Sequence, residues 1–217
     1  GIGPEEIDLP TFPLFSHFDP ALGMTAVIPD MDPTRPADAD PEKLIDIIED
    51  HGVTTMFGSP ALLNRLGDHG RSTGATLPSL RRVISAGAPV SPDIIEKFSG
   101  MLAAEAEIHT PYGATEAMPV LSIDSAEILG STRKFSEQGY GICVGRPVGD
   151  IEVGIIRITD NPIEHWSDDL LVETGEIGEI VVKGDVVTRR YFDRPQAEMA
   201  AKRSEERRVG KECRSRG

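Results

Sequence analysis

Short apolar runs alternate with amphipathic segments over roughly the first 140 residues of the chain. The runs that read as buried strands are 25–29, 53–57, 80–85 and 105–109. Between them, Asp40, Ser59 and Ser91 each stand directly before a proline, the order expected of a helix N-cap and its first helical residue. The apolar residues after each proline repeat at helical spacing. Three strand–helix repeats of this length predict an α/β fold, a parallel sheet with flanking helices.

The pattern changes after about residue 140. Segments 151–158 and 179–183 are rich in β-branched residues that alternate with polar ones, and Gly, Pro and Asp turns separate them. This sequence pattern is typical of strands joined by tight turns. We therefore predict an α/β subdomain over residues 1–140, followed by a β-rich subdomain over residues 141–202.

The last fifteen residues, 203–217, fit neither subdomain. They show neither helical nor strand periodicity, and they carry six Lys and Arg against three Asp and Glu. The stretch is similar to a translated sequencing adapter, so we predict a non-native tail and leave it out of the fold assignment. A basic tail or a nucleic-acid-binding arm is the alternative. The other end starts at Gly1 without a methionine, and we expect the sequence to begin inside a longer protein.

Charge and composition narrow the function classes. The chain has a formal net charge of −14, and −17 without residues 203–217, which argues against a nucleic-acid partner because phosphate binding needs clustered Lys and Arg. Its apolar runs are shorter than the roughly 18–20 residues of a membrane span, so no span is predicted. Two cysteines, one of them in the tail, do not make a disulfide framework. A reducing compartment, the cytoplasm, is therefore expected, with Cys143 as a small buried residue.

Two loops follow predicted strands at the edge where open α/β sheets bind ligands. In the first, 85–89, small residues let the backbone approach a flat ligand closely. In the second, 110–116, Tyr112 offers a ring for stacking, Thr115 a hydroxyl for a phosphate, and Glu116 a hard oxygen ligand for Mg²⁺. Singly, these features also fit a common turn, an ordinary loop or a helix cap. Together they match the base, phosphate and metal of a nucleotide.

Four motifs in order resemble the adenylate-forming superfamily of acyl-CoA synthetases, luciferases and peptide-synthetase adenylation domains. They are Phe12-Pro13-Leu14-Phe15, Ala86-Gly87-Ala88-Pro89, Tyr112-Gly113-Ala114-Thr115-Glu116 and the strand Gly178–Gly184. The resemblance covers nearly all of residues 9–202. It implies that the predicted subdomains are part of the large N-terminal domain of such an enzyme.

A narrower resemblance is to the β-lactone synthetases of bacterial long-chain olefin biosynthesis, which are often labelled fatty acyl-CoA ligases. It rests on segments 9–15, 111–116 and 141–147. Acyl-CoA synthetases usually carry His directly after Pro-Leu-Phe, whereas this chain has Ser16 there and His17 one position later. The departure favours the lactone-forming branch.

The resemblance implies ATP and Mg²⁺ as cofactors, a small-molecule fatty acid as substrate, and an acyl-AMP intermediate. By the same carry-over, Tyr112 stacks on adenine, Thr115 bonds an α-phosphate oxygen and Glu116 holds Mg²⁺, and Thr115 and Glu116 are the catalytic residues. The other residues implied in nucleotide binding are Gly87, Ala88, Pro89 and Gly113, and those implied in acyl binding are Phe15, His17 and Ala86.

The second step is left open between branches. In the lactone branch a 3-hydroxyl on the acyl chain displaces AMP, whereas in the CoA-ligase branch a thiol does so. A non-catalytic nucleotide-binding module is the third alternative. The superfamily's phosphate loop, its ribose-binding Asp and its C-terminal lysine have no counterpart in this sequence, so we expect the chain alone to be inactive in adenylation.

Overall fold

In the computed structural model, which describes residues 2–159, 161, 163, 165–203 and 208–216, the chain forms two compact units. Unit 1 comprises Gly1–Thr110 with Ile123–Ser136, and unit 2 comprises Pro111–Ser122 with Glu137–Gly217. The helices are α1 (Pro41–His51), α2 (Pro60–Thr73), α3 (Pro92–Ser99), α4 (Ser125–Glu127), α5 (Arg133–Glu137) and α6 (Pro195–Ala201). The strands are β1 (Ile7–Pro10), β2 (Thr25–Ala26), β3 (Thr55–Phe57), β4 (Arg82–Ile84), β5 (Glu107–His109), β6 (Tyr112–Ala114), β7 (Ala117–Ser122), β8 (Arg146–Pro147), β9 (Glu152–Ile156), β10 (Ile177–Lys183), β11 (Lys202–Arg203) and β12 (Arg208–Arg216).

Unit 1 is built on a five-stranded parallel sheet in the order β2-β1-β3-β4-β5. This confirms the predicted α/β class. β1 is a strand that the hydrophobic pattern did not reveal, because Asp8 lies in its middle and Pro10 ends it. Pro10, Phe57 and Ile84 are in register across three neighbouring strands, so the segments that follow them leave the same carboxyl edge of the sheet.

The three long helices of unit 1 begin where their caps predict. The side chains of Asp40, Ser59 and Ser91 accept hydrogen bonds from backbone N–H groups in the first turns of α1, α2 and α3. Gly52 ends α1 in the left-handed conformation, φ 60°, which glycine adopts without steric cost. Each helix turns its apolar face onto one core, which includes Ile48, Leu63, Leu66, Ile95 and Phe98.

Unit 2 is made of small antiparallel sheets. One has the order β6-β7-β8, and the other has the order β11-β12-β10-β9. Its core includes Val120 and Leu121 of β7 and Ile180 and Val182 of β10. The β-rich character predicted after residue 140 is confirmed by β9 and β10. The hairpin β6–β7 also belongs to unit 2, although it precedes residue 140; the division of the chain at that residue stays a prediction.

The structure differs from two of the expectations from the sequence. Residues 208–216 of the predicted tail form β12, paired antiparallel with β10, whereas the sequence showed no strand periodicity there. Backbone hydrogen bonds between strands need no alternation of side chains, which is why the pattern missed this strand. Residues 204–207 and 217 of that tail lie outside the described residues. The expectation that Cys143 is buried was wrong, because Cys143 is exposed.

Candidate active site

The segment that carries Phe15 and His17 follows β1 at the carboxyl edge of the parallel sheet in unit 1. Thr11 is buried, and its Oγ1 donates a hydrogen bond of 2.7 Å to the carbonyl oxygen of Phe57 at the end of β3. Phe15 packs edge-on against the Phe57 ring, with 4.6 Å between ring centroids. His17 ends the same 3-10 turn and is exposed. Phe15 is therefore held at the sheet edge, while His17 points to solvent.

The first predicted loop, 85–89, follows β4 at the same edge. Ser85 N–H donates to the carbonyl oxygen of His109, at 2.9 Å, which prolongs the pairing of β4 with β5. Gly87 then takes a φ of 94°, and no heavy atom lies within 4 Å of the Cβ that another residue would add there. Ala88 and Pro89 are exposed and Ala86 is half-buried. The loop thus presents small residues and open backbone, which suits the close approach of a flat ring.

In unit 2, the Tyr-Gly-Ala-Thr-Glu motif forms one side and the turn of a tight hairpin. Ala114 pairs with Ala117, so Thr115 and Glu116 are the two residues of the turn between β6 and β7. Gly113 is required by the close approach of the strands: a Cβ there would lie 2.6 Å from the carbonyl oxygen of Ala117. The hairpin therefore carries the hydroxyl and the carboxylate of the motif on the two adjacent residues of its turn.

Two hydrogen bonds hold Glu116 to a distant part of unit 2. The backbone N–H of Thr188 donates to the carbonyl oxygen of Glu116 at 2.7 Å. The Tyr191 hydroxyl donates to Glu116 Oε1 at 2.8 Å. Burial, then the hydrogen bond to the Glu116 carboxylate and its charge, raise the pKa of Tyr191 to about 12, so this phenol stays protonated and remains a donor.

A buried anchor explains why this segment reaches the hairpin. Val187 is 6% exposed and belongs to the same core as Ala117, Val120 and Leu121 of β7. The packing of Val187 brings Thr188 and Tyr191 to the turn. Tyr191 is 75 residues from Glu116, and because no spacing rule links two residues so far apart, the sequence pattern does not indicate their contact.

The structure thus assembles the predicted residues in two sets. The hairpin of unit 2 brings together Tyr112, Gly113, Thr115 and Glu116, and Tyr112 is half-buried against the unit 2 core. In unit 1, Phe15 and the loop 86–89 lie at the carboxyl edge of the parallel sheet. The ligand roles assigned to these residues stay predictions.

The donor set at the hairpin tip fits the expected metal. Among the residues that the structure describes, no three His, Cys, Asp or Glu side chains are grouped so that they could hold a metal ion by themselves. Mg²⁺ does not need such a cage: it usually keeps several waters and binds through one or two carboxylates together with substrate phosphates. A single positioned carboxylate, Glu116, beside the hydroxyl of Thr115 matches that mode of binding.

Comparison with known proteins shows the family to which the chain belongs. Residues 20–192 match the AMP-binding enzyme family, and the chain belongs to it. An olefin β-lactone synthetase from Stenotrophomonas maltophilia (strain K279a) is 54% identical over 196 residues, which are 90% of this chain and 35% of that protein. An olefin β-lactone synthetase from Xanthomonas campestris pv. campestris is 51% identical over 199 residues, 92% of this chain and 35% of that protein. The chain therefore spans about a third of the length of these relatives, and the predicted resemblance to both groups is confirmed.

Solved structures agree on the fold. O-succinylbenzoate coenzyme A synthetase (MenE) from Bacillus subtilis, in complex with ATP and magnesium ion, matches with a TM-score of 0.67 at 22% identity, over 97% of this chain and 39% of that one. This confirms that the parallel sheet and the antiparallel sheets have the architecture of an adenylate-forming enzyme. No helix within the described ranges is long and apolar enough to cross a membrane.

Proposed function

We propose that the protein to which this chain belongs activates a long-chain 3-hydroxy fatty acid with ATP as acyl-AMP and then closes a β-lactone. The observation that carries the proposal is the hairpin tip, where Thr115 and Glu116 stand together and Glu116 is held by Thr188 and Tyr191. The identity of 54% to an olefin β-lactone synthetase supports the choice of product. A cytoplasmic location fits an enzyme that consumes ATP.

The first step joins a carboxylate oxygen to the α-phosphorus of ATP and releases pyrophosphate. Such substitutions depend on positioning and on neutralising charge at the phosphate oxygens. In this proposal the Thr115 hydroxyl donates to an α-phosphate oxygen, and the Tyr112 ring contacts the adenine. Glu116 holds Mg²⁺, which supplies charge neutralisation at the phosphates when bound.

The second step is intramolecular. The 3-hydroxyl oxygen attacks the acyl carbonyl carbon, the bond from that carbon to the phosphate oxygen breaks, AMP leaves with its electron pair, and the hydroxyl proton passes to solvent. Because nucleophile and electrophile are on one molecule, orientation of the acyl chain contributes much of the rate. Phe15, His17 and Ala86 are the residues proposed to line the acyl chain. A CoA thiol, attacking the same carbon, would give a thioester instead.

The experiment supplies the full-length protein with a long-chain 3-hydroxy fatty acid, ATP and Mg²⁺, with and without CoA. We expect pyrophosphate release and a β-lactone, detected by mass spectrometry, in the absence of CoA. The same acid without its 3-hydroxyl should release pyrophosphate and give no lactone. A thioester that forms only in the presence of CoA would show that the enzyme is a fatty acyl-CoA ligase and would contradict the proposed lactone product. If ATP is not consumed at all, the result would favour a non-catalytic nucleotide-binding module.

Glu116→Gln is the matched variant for the first step. We expect it to slow pyrophosphate release on the order of 100-fold, because the amide keeps the shape of the side chain and loses the charge that binds the metal. Glu42→Gln, a change of the same kind on the exposed face of α1, should release pyrophosphate at the wild-type rate. Equal rates for Glu116→Gln and wild type would remove Glu116 from the metal role.

A further inference from the structure

Glu116 is fixed by groups that lie more than seventy residues away in sequence. Its carbonyl oxygen accepts from Thr188, at 2.7 Å, and its Oε1 accepts from the Tyr191 hydroxyl, at 2.8 Å. A carboxylate is planar, so fixing the backbone and one oxygen also sets the direction of Oε2. The segment from 184 to 191, which we term the support segment, therefore controls where this side chain points.

The support segment has its own attachment to unit 2. Val187 N–H donates to the carbonyl oxygen of Gly184 at 3.1 Å, which closes a turn. Val187 is buried with Ala117 and Leu121 of the hairpin strand β7. The segment is thus held by packing at Val187 as well as by the two bonds to Glu116. Loss of the Tyr191 hydroxyl alone leaves the other two attachments in place.

We propose that Tyr191 is a positioning residue, which holds the Glu116 carboxylate in the orientation that binds Mg²⁺ beside the phosphates. The proposal rests on the metal role of Glu116 in the proposed function. Tyr191 itself contacts neither metal nor substrate in this scheme. Hydrogen-bond partners of metal ligands act in this way, and their removal typically weakens metal binding or activity about 10- to 100-fold.

The test compares Tyr191→Phe with wild type in the full-length protein. The affinity for Mn²⁺, as a stand-in for Mg²⁺, is measured by water proton relaxation in the presence of a non-hydrolysable ATP analogue, so no turnover is needed. We expect Tyr191→Phe to weaken metal binding roughly tenfold and to raise the Mg²⁺ concentration needed for half-maximal pyrophosphate release by a similar factor. The KM for the fatty acid should stay unchanged.

A double-mutant comparison separates positioning from general support of the fold. In a Glu116→Gln background, Tyr191→Phe should cause no further loss of metal affinity, because the two residues act through one carboxylate. Tyr140→Phe removes the same hydroxyl from a tyrosine that is 55% exposed and outside the support segment, and it should bind the metal as wild type does. An unchanged affinity in Tyr191→Phe, or an equal loss in the Glu116→Gln background, would overturn the proposal.

The outcomes also separate this proposal from the proposed function. If wild type binds the metal with the ATP analogue and Tyr191→Phe weakens that binding, the positioning role stands even where the product is a thioester rather than a lactone. If Glu116→Gln binds the metal as tightly as wild type, the positioning role falls together with the metal role of Glu116, and the lactone assay still decides the reaction.

Discussion

Two buried carboxyl groups in unit 1 show what single residues contribute beyond the nucleotide motifs. Asp8 is 9% exposed in the middle of β1, and Asp19 is 5% exposed after the segment that carries Phe15. Asp8 Oδ1 accepts a hydrogen bond of 2.6 Å from the Thr55 hydroxyl. Within the described part of the chain, Asp19 Oδ2 is buried and has no hydrogen-bond partner, and Asp8 is the side chain that would donate to Asp19 when protonated.

The environment of this pair sets its protonation. Burial is the largest cause that raises the pKa of Asp8, the hydrogen bond from Thr55 opposes it, and the negative charges of Asp19 and Glu6 add to it, so that together they raise this pKa from 3.8 to about 6. Burial also raises the pKa of Asp19. The folded chain therefore keeps the Asp8 proton up to about pH 6, whereas the unfolded chain releases it near the ordinary value of 3.8.

The sign of the pH dependence follows from these two values. The folded state binds the additional proton between about pH 4 and 6, so this group's contribution to stability is full at low pH and is lost as pH rises through 6. Keeping Asp8 ionised in the folded state at pH 8 costs roughly 3 kcal/mol at most. The amide of Asn mimics the protonated acid, because it can accept from Thr55 and donate to Asp19.

Asp8→Asn should therefore stabilise the chain at pH 8 by roughly 1–3 kcal/mol, and at pH 4.5 by only about a third of that amount. The measurement is the free energy of unfolding in urea at pH 4.5, 6 and 8. Asp46→Asn, on the exposed side of α1, is the control, and its profile should run parallel to that of wild type. A parallel profile for Asp8→Asn would show that Asp8 is ionised throughout this range.

At the scale of elements, the sequence predicts what depends on neighbouring residues. The starts of α1, α2 and α3 follow from Asp40-Pro41, Ser59-Pro60 and Ser91-Pro92, because a cap and its helix are adjacent in the chain. The hairpin β6–β7 was not predicted as such, since its strand β6 has only three residues. The support segment was missed because only tertiary packing at Val187 brings it to Glu116.

Gly113→Ala tests the hairpin as an element. The added Cβ would lie 2.6 Å from the Ala117 carbonyl oxygen and 3.2 Å from Met118 Cα, and both are backbone atoms that move only if the strands separate. We expect a loss of roughly 1–3 kcal/mol in the free energy of unfolding, together with weaker metal binding, because the turn that carries Glu116 shifts.

Gly130→Ala is the matched control for that substitution. No heavy atom lies within 4 Å of the added Cβ at Gly130, which sits in a helical turn after α4. Stability there should stay the same or rise slightly, since alanine favours helix over glycine. Urea unfolding of both variants would decide, and equal stabilities would mean that β6 and β7 are less closely packed at Gly113 than the structure has them.

At the scale of the whole molecule, the acidic chain contains a basic stretch, residues 203–217, and residues 208–216 of this stretch pair as a strand. We retain the proposal that residues 203–217 are not native to this protein, because strand pairing through the backbone does not depend on which side chains a strand carries. Resequencing the coding DNA across residues 200–205 would test the origin of the stretch, and an uninterrupted native sequence there would refute it.

The pairing itself predicts a pattern of amide exchange. β10 lies between β9 and β12, and in an antiparallel sheet the backbone N–H groups of a central strand point alternately to its two neighbours. A chain that ends at Lys202 removes one neighbour and leaves the other. Every second amide of β10 should then exchange faster, by roughly tenfold or more, while the amides bonded to β9 keep their protection. Residue-resolved hydrogen exchange of the two chains is the measurement, and equal protection throughout β10 would show that β12 does not pair with it in solution.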